Sequence, residues 1–200
     1  MRAPDRLLVL TDASQTSGRP LLDVVRAALR GGACAVVLRE KHLPRPARAA
    51  LGARVADVVH DAGGTFLAAG GLDDPHVTVD GVHLAATDPF PATPPAIVGR
   101  SCHDADALRR AAAEGCSYAT LSPIFASASK PGYGPPLGTD PLRDAPLPVF
   151  ALGGVDQARA PACVDAGARG VAVMGTVMRA SDPEAVVRDL LAVVHAGVPR

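Results

Sequence analysis

Tryptophan is absent from this chain, and aromatic residues make up only 3% of it. A core with so few large rings must be assembled from closely packed small and branched aliphatics, which suits parallel strands covered by helices. A charge excess is absent too, since 20 basic side chains face 20 acidic ones. That balance excludes a broad electrostatic surface for nucleic acid, so any anion must be held by a local set of groups. No apolar run approaches the length of a membrane span. The run at 7–10 is also too short for a signal peptide, so a cytoplasmic protein with no membrane partner is expected. The four cysteines, Cys34, Cys102, Cys116 and Cys163, share no C-x-x-C spacing. Each lies in or beside an apolar stretch and is expected to be a small buried hydrophobe rather than a metal ligand or redox partner. No low-complexity linker divides the 200 residues, so one domain over 1–200 is expected.

What is present is an alternation of two periodicities. Continuous apolar runs at 7–11, 33–38, 65–68, 81–85, 97–101, 118–124, 149–152 and 171–174 read as strands buried on both faces. Segments of helical period lie between them at 21–30, 46–62, 104–114, 156–166 and 182–195, and the later three begin near an acidic residue that complements the helix dipole. Two connections are reduced: 70–79 has room for about a turn of helix, and the proline-rich 89–95 replaces a helix altogether. Eight such strands predict a minimal (β/α)8 barrel. The lack of G-x-G-x-x-G after the first strand argues against a dinucleotide-binding sheet.

In such a barrel the chemistry sits at the C-terminal ends of the strands. Those ends carry Arg39 and Lys41 on either side of Glu40, His83 with Asp88, Ser101 with His103, Ser122-Pro123, Gly153-Gly154, and Gly175-Thr176. Alternation sends Arg39 and Lys41 to one side and Glu40 to the other, so a guanidinium fork and an ammonium face the mouth, where they match phosphoryl oxygens. The glycines closing the seventh and eighth strands let backbone N–H groups approach a phosphate. Ser127, Ser129 and Lys130 lie in a long loop with Gly132, Gly134 and two prolines, a composition that suits a flap over a ligand. His83 and His103 each have a structural reading as hydrogen-bonding residues and a chemical one as acid or base. Asp88 is a candidate for Mg2+, an ion that usually needs a second carboxylate or substrate oxygens.

Leu10-Thr-Asp12, Leu38-Arg-Glu-Lys41, Asp80-Gly-Val-His-Leu84 with Asp88, Val98-Gly-Arg-Ser101, the run from Ser122 to Lys130, Ala151-Leu-Gly-Gly154 and Ala172-Val-Met174 together resemble the thiamine phosphate synthase family and its sister group of thiazole tautomerases (TenI). The resemblance covers nearly the whole chain. It implies a transferase of thiamin biosynthesis that joins hydroxymethylpyrimidine diphosphate to thiazole phosphate and releases diphosphate with Mg2+ assistance. By the same resemblance Arg39, Lys41 and Lys130 hold the diphosphate and Asp88 helps bind the metal. Ser127, Ser129, Gly154 and the Gly175 region hold the thiazole phosphate and the flap; Ser101, His83, Gly153 and Thr176 join the candidate substrate site from their places at the strand ends.

Three positions depart from the family pattern. Val37 stands where a glutamine is expected before Leu-Arg-Glu-Lys, Ala68-Ala69-Gly70 replaces an Asn-Asp pair, and Ala85-Ala86 replaces a glycine and a glutamine. Loss of the aspartate points to a Mg2+ site that depends on substrate. A tautomerase acting on a carboxythiazole phosphate, or another phosphothiazole-processing enzyme, is the alternative, although the histidine the tautomerase group places after the sixth strand is Pro123 here. A non-catalytic phosphoryl-ligand-binding or regulatory protein is the third reading. In each case the partner is a small phosphorylated thiazole or pyrimidine, and a homo-oligomer remains open.

Overall fold

The computed structural model describes residues 3–72, 74–127 and 135–196. Eight parallel strands close into a barrel in sequence order: β1 (Leu7–Leu10), β2 (Ala35–Leu38), β3 (Thr65–Ala69), β4 (Gly81–Leu84), β5 (Ile97–Cys102), β6 (Tyr118–Leu121), β7 (Val149–Leu152) and β8 (Gly170–Val173), with β8 returning to pair with β1. The helices are α1 (Leu21–Arg30), α2 (Arg45–Asp61), α3 (Ala105–Ala113), α4 (Ala160–Asp165), a one-turn α5 (Gly175–Met178) and α6 (Pro183–Ala196). The expected (β/α)8 barrel is what forms. Its two reduced connections carry no helix among the described residues, and neither does the long connection after β6 apart from a 3-10 turn at Asp140–Leu142.

Both faces of the strands are covered, which is why they read as unbroken apolar runs. Leu8, Leu10, Ala35, Val37, Leu67, Ala69, Tyr118, Phe150 and Ala172 fill the barrel interior. The alternate residues, among them Leu7, Val9, Val36, Leu38, Phe66, Ala119 and Val171, pack outward against the helices. Asp104 caps α3 by accepting from the Ala107 N–H at 2.6 Å, and the Asp182 carboxylate accepts from the Ala185 N–H at 3.0 Å at the start of α6, as acidic residues at those starts predict.

Where helices are missing, arginines tie down the loops. Arg48 on α2 donates to the carbonyls of Arg39 at 3.1 Å, Gly71 at 2.6 Å and Ala69 at 2.7 Å. Arg100 on β5, 4% exposed, donates to the carbonyls of Ala85 at 3.1 Å and Asp88 at 2.8 Å and pairs with Glu114 at 2.8 Å.

Three expectations need correction. The sixth apolar run is strand only to Leu121: a cis Ser122-Pro123 bond follows, and the Ile124 N–H turns to the carbonyl of Leu152. The helix expected over 156–166 begins only at Ala160, because Asp156 caps a turn by accepting from the Arg159 N–H. Cys34 is exposed, unlike the buried Cys102, Cys116 and Cys163, because it alternates with the buried Ala33 and Ala35 and so points outward.

Candidate active site

The C-terminal ends of the strands surround a cavity of about 750 Å³, a size typical of small-molecule sites. Arg39, Lys41, His83, Ser101, Ser127, Gly153, Gly154, Gly175 and Thr176 all line it. Ser129 and Lys130 lie outside the described residues. Leu10, Ala69, Leu152, Ala172 and Met174 contribute apolar surface to it.

The β1 and β2 termini build a cation pair. Glu40 is 2% exposed, and its carboxylate accepts from the Thr11 hydroxyl and from the Ala13 N–H at 3.0 Å. Thr11 Oγ1 in turn accepts from the Arg39 N–H at 3.0 Å. Glu40 therefore turns away from the barrel mouth to hold the β1 loop, and alternation leaves Arg39 and Lys41 toward the cavity. The Arg39 guanidinium rests against Met174, the carbonyl of Thr11 at 3.5 Å and the Asp12 carboxylate at 3.7 Å. Partial burial pushes Asp12 up, but hydrogen bonds from Ser14 and Gln15 and the nearby Arg39 charge outweigh it, so its pKa falls below the usual carboxylate value.

Asp88 does not line the cavity but stands behind Lys41, with Nζ and Oδ2 3.7 Å apart, and its Oδ2 already accepts from the Ala85 N–H at 2.8 Å. Lys41 also occupies the space beside Gly70, where an added Cβ would lie 3.1 Å from Nζ. Among the described residues no group of three His, Cys, Asp or Glu side chains is arranged to hold a metal.

The ends of β7 and β8, next round the barrel from β1, form a cup of backbone. Gly153 and Gly154 adopt φ of +94° and +64°, and a Cβ on Gly154 would lie 2.4 Å from the carbonyl oxygen of Ala126. Only glycine allows this close approach between the β7 end and the segment after β6. The first-turn N–H groups of Gly175 and Thr176 have no acceptor within α5, and the Thr176 hydroxyl is fixed on the carbonyl of Val155 at 2.8 Å.

Sequence reading passed over two guanidinium groups that also line this part of the cavity, Arg159 and Arg179. Arg159 donates to the carbonyl of Gly154 at 2.8 Å and lies over the Phe125 ring at 5.4 Å. Arg179 packs on Gly175 and reaches the Gln15 side-chain oxygen. Their spacing, five residues after Gly154 and four after Gly175, was the available signal: a side chain one helical turn on returns over the preceding turn.

In the cavity lining His83 is largely buried between Tyr118 and Ser101, 2.9 Å from the phenol oxygen and 3.0 Å from the serine hydroxyl. Burial, reinforced by the charges of Lys41, Arg39 and Arg100, lowers its pKa to about 4. The imidazole is therefore neutral at pH 7. His103 lines the cavity with its Nδ1 2.8 Å from the carbonyl of Ser122. Val37 is fully buried in the barrel interior, while Ala85 and Ala86 line the cavity without a side-chain polar atom.

A family model described as thiamine monophosphate synthase matches residues 7–177. The chain is 38% identical to a thiamine-phosphate synthase of Roseiflexus sp. (strain RS-1), over 95% of its own length and 85% of the relative's. It is 37% identical to that of Moorella thermoacetica, over 94% and 95%. The solved structure of a thiamine phosphate pyrophosphorylase from Pyrococcus furiosus superposes with a TM-score of 0.84 at 26% identity, covering 97% of each chain.

Proposed function

Since the chain belongs to the thiamine monophosphate synthase family, we propose that it is a thiamine-phosphate synthase, joining hydroxymethylpyrimidine diphosphate to a thiazole phosphate with release of diphosphate. The observation that carries this reading is that one cavity is lined by a cation pair, a backbone cup and apolar side chains, which provides for two phosphorylated partners and their rings. Arg39 and Lys41 face the diphosphate. As the bond from the pyrimidine methylene carbon to the diphosphate oxygen lengthens, negative charge gathers on the leaving group and positive charge on the carbon. The planar guanidinium and the ammonium neutralise the former without reorganising, because Thr11, Asp12 and Glu40 hold the strand end in place. The thiazole nitrogen then supplies the electron pair for the new carbon–nitrogen bond. Its phosphate is held on the N–H groups around Gly154, Gly175 and Thr176, with Ser127 and the guanidinium groups of Arg159 and Arg179 nearby. Gly154→Val is expected to weaken thiazole phosphate by roughly 1 to 3 kcal/mol through lost backbone donation and steric closure. Calorimetry on the folded variant checks it, and unchanged affinity removes the cup from the site.

The described residues do not fit a protein-held Mg2+. The ion favours octahedral oxygen ligation, whereas Asp88 has one oxygen engaged by Ala85 and an ammonium beside it. An ion at this rim has to be carried by substrate phosphate oxygens and water. Titrating magnesium chloride into the free protein is expected to give only heat of dilution, and tight binding contradicts this reading of the rim.

Retention of both cations favours the synthase over the tautomerase, as does Pro123 in place of an imidazole after β6. A cytoplasmic location accords with that reading, and among the described residues no helix is long and apolar enough to cross a membrane. The test is a thermal-shift series with pyrimidine diphosphate, thiazole phosphate and carboxythiazole phosphate, set beside an assay for released diphosphate. The first two are expected to raise the melting temperature and, together, to release diphosphate. Stabilisation by carboxythiazole phosphate alone, with no diphosphate released, selects the tautomerase.

A further inference from the structure

From the cavity lining inward runs a chain of three hydrogen-bonding groups, Ser101, His83 and Tyr118, whose direction is dictated by its inner end. Tyr118 is fully buried, with its ring stacked on His83 at 5.6 Å between centroids and edge-on to Phe150 at 5.5 Å. Burial raises its pKa, so the phenol keeps its proton. Among the described residues the one hydrogen-bond partner of that phenol is His83 Nδ1, at 2.9 Å. At the other edge of the ring, Nε2 is 3.0 Å from Ser101 Oγ, and Ser101 lines the cavity.

A neutral imidazole carries one N–H and one bare nitrogen, so two arrangements compete. If Nδ1 carried the hydrogen, the phenol oxygen would accept it and its own O–H would be left buried without an acceptor, which disfavours that arrangement by roughly tenfold or more in population. In the other arrangement Tyr118 donates to Nδ1, Nε2–H donates to Ser101 Oγ, and every buried donor is used. The serine oxygen then receives a hydrogen from below, and its own hydrogen turns to the cavity.

We propose that Tyr118 and His83 are positioning residues that set the direction of the hydrogen bond at Ser101, a residue the sequence already places in the candidate substrate site, so that its hydroxyl donates into the cavity. The surroundings agree, since Ala69, Ala85 and Leu152 line the same cavity without side-chain polar atoms to compete. A ring nitrogen with a free electron pair satisfies Ser101, whereas a C–H at the same place leaves the hydroxyl unpaired. Assigning that nitrogen to the pyrimidine rests on the synthase reading. The direction of the hydrogen bonds does not.

Long-range nitrogen–proton NMR on the full chain labelled with 15N-histidine decides the direction without any substrate. His83, assigned by loss of its signals in His83→Gln, is expected as the neutral Nε2–H tautomer at pH 7. The Nδ1–H tautomer overturns the proposal. Tyr118→Phe removes the group that sets the direction, and His83 is expected to become a mixture of tautomers; an unchanged tautomer shows that Tyr118 does not position it. For the ligand, Ser101→Ala is expected to raise KM for the pyrimidine diphosphate about tenfold with kcat changed much less, and Ser101→Thr to restore it. A pyrimidine analogue with C–H in place of the acceptor nitrogen is expected to bind native protein and Ser101→Ala equally. An analogue that binds native protein as well as the parent does overturns the selectivity. If no diphosphate is released from the parent substrates, the synthase reading fails while the tautomer measurement still stands or falls alone.

Discussion

Arg39→Ala is expected to lower the rate of diphosphate release by about 10² to 10³-fold at saturating substrate, the usual cost of removing one preorganised group aimed at developing charge. The loss falls on kcat because the guanidinium meets the diphosphate most strongly when the bond to carbon is breaking. Lys41 remains in the variant, but it is a mobile point charge that also faces Asp88, so it cannot restore two parallel hydrogen bonds from a planar fork. Arg39→Lys should recover a minor part of the rate, since charge returns and geometry does not. The substitution should leave the melting temperature nearly unchanged, because the side chain is about one-third exposed and Glu40 still anchors the strand end. A kcat within threefold of the native value, measured by coupled diphosphate detection, would show that Arg39 does not face the leaving group.

A second large effect is expected in stability, from a residue with no polar side chain. Gly99 on β5 pairs with Tyr118 on β6, and a Cβ at position 99 would lie 2.1 Å from Tyr118 Cζ and 2.4 Å from its hydroxyl oxygen. The tyrosine has no room to withdraw, being buried against His83 and Phe150. Overpacking of this kind typically costs 1 to 3 kcal/mol, and Gly99→Ala lies at the upper end because backbone or ring must shift by about an ångström. We expect a loss of about 3 kcal/mol and a fall in Tm of roughly 6 to 12 °C for a chain of this length. Urea unfolding checks it, and an unmoved midpoint contradicts it. In the double variant with Tyr118→Ala the two costs should be markedly less than additive, since the second change removes what the first collides with.

The barrel was legible because parallel strands covered on both faces leave an unbroken apolar signature, and the site because side chains at their C-terminal ends must face one mouth. Arg39, Lys41, His83, Ser101, Gly154 and Thr176 reach one cavity for that reason. What escaped was decided by contacts rather than by pattern. Leu121 ends its strand although the apolar run continues, because the Ile124 N–H is taken by the carbonyl of Leu152 on the neighbouring strand's end. Arg159 and Arg179 were passed over because only the turns at 156–159 and 175–178 bring them back to the glycines they follow. Tyr118 read as one more apolar strand residue, and its hydroxyl acquires meaning only once β4 and β5 bring His83 and Ser101 into line with it.

The missing helices after β3 and β4 have a consequence for how this mouth keeps its shape. A helical wall spreads the restraint of a loop over many small contacts, whereas Arg48 gathers three carbonyls, those of Arg39, Ala69 and Gly71, onto one guanidinium. The rim that carries the cation pair is thus moored to α2 through Arg48, in addition to its anchor on the β1 loop through Glu40. Whatever tilts or frays that helix is transmitted to the cation-bearing loop and its neighbour together, so the two loosen as one unit while the barrel beneath them remains closed.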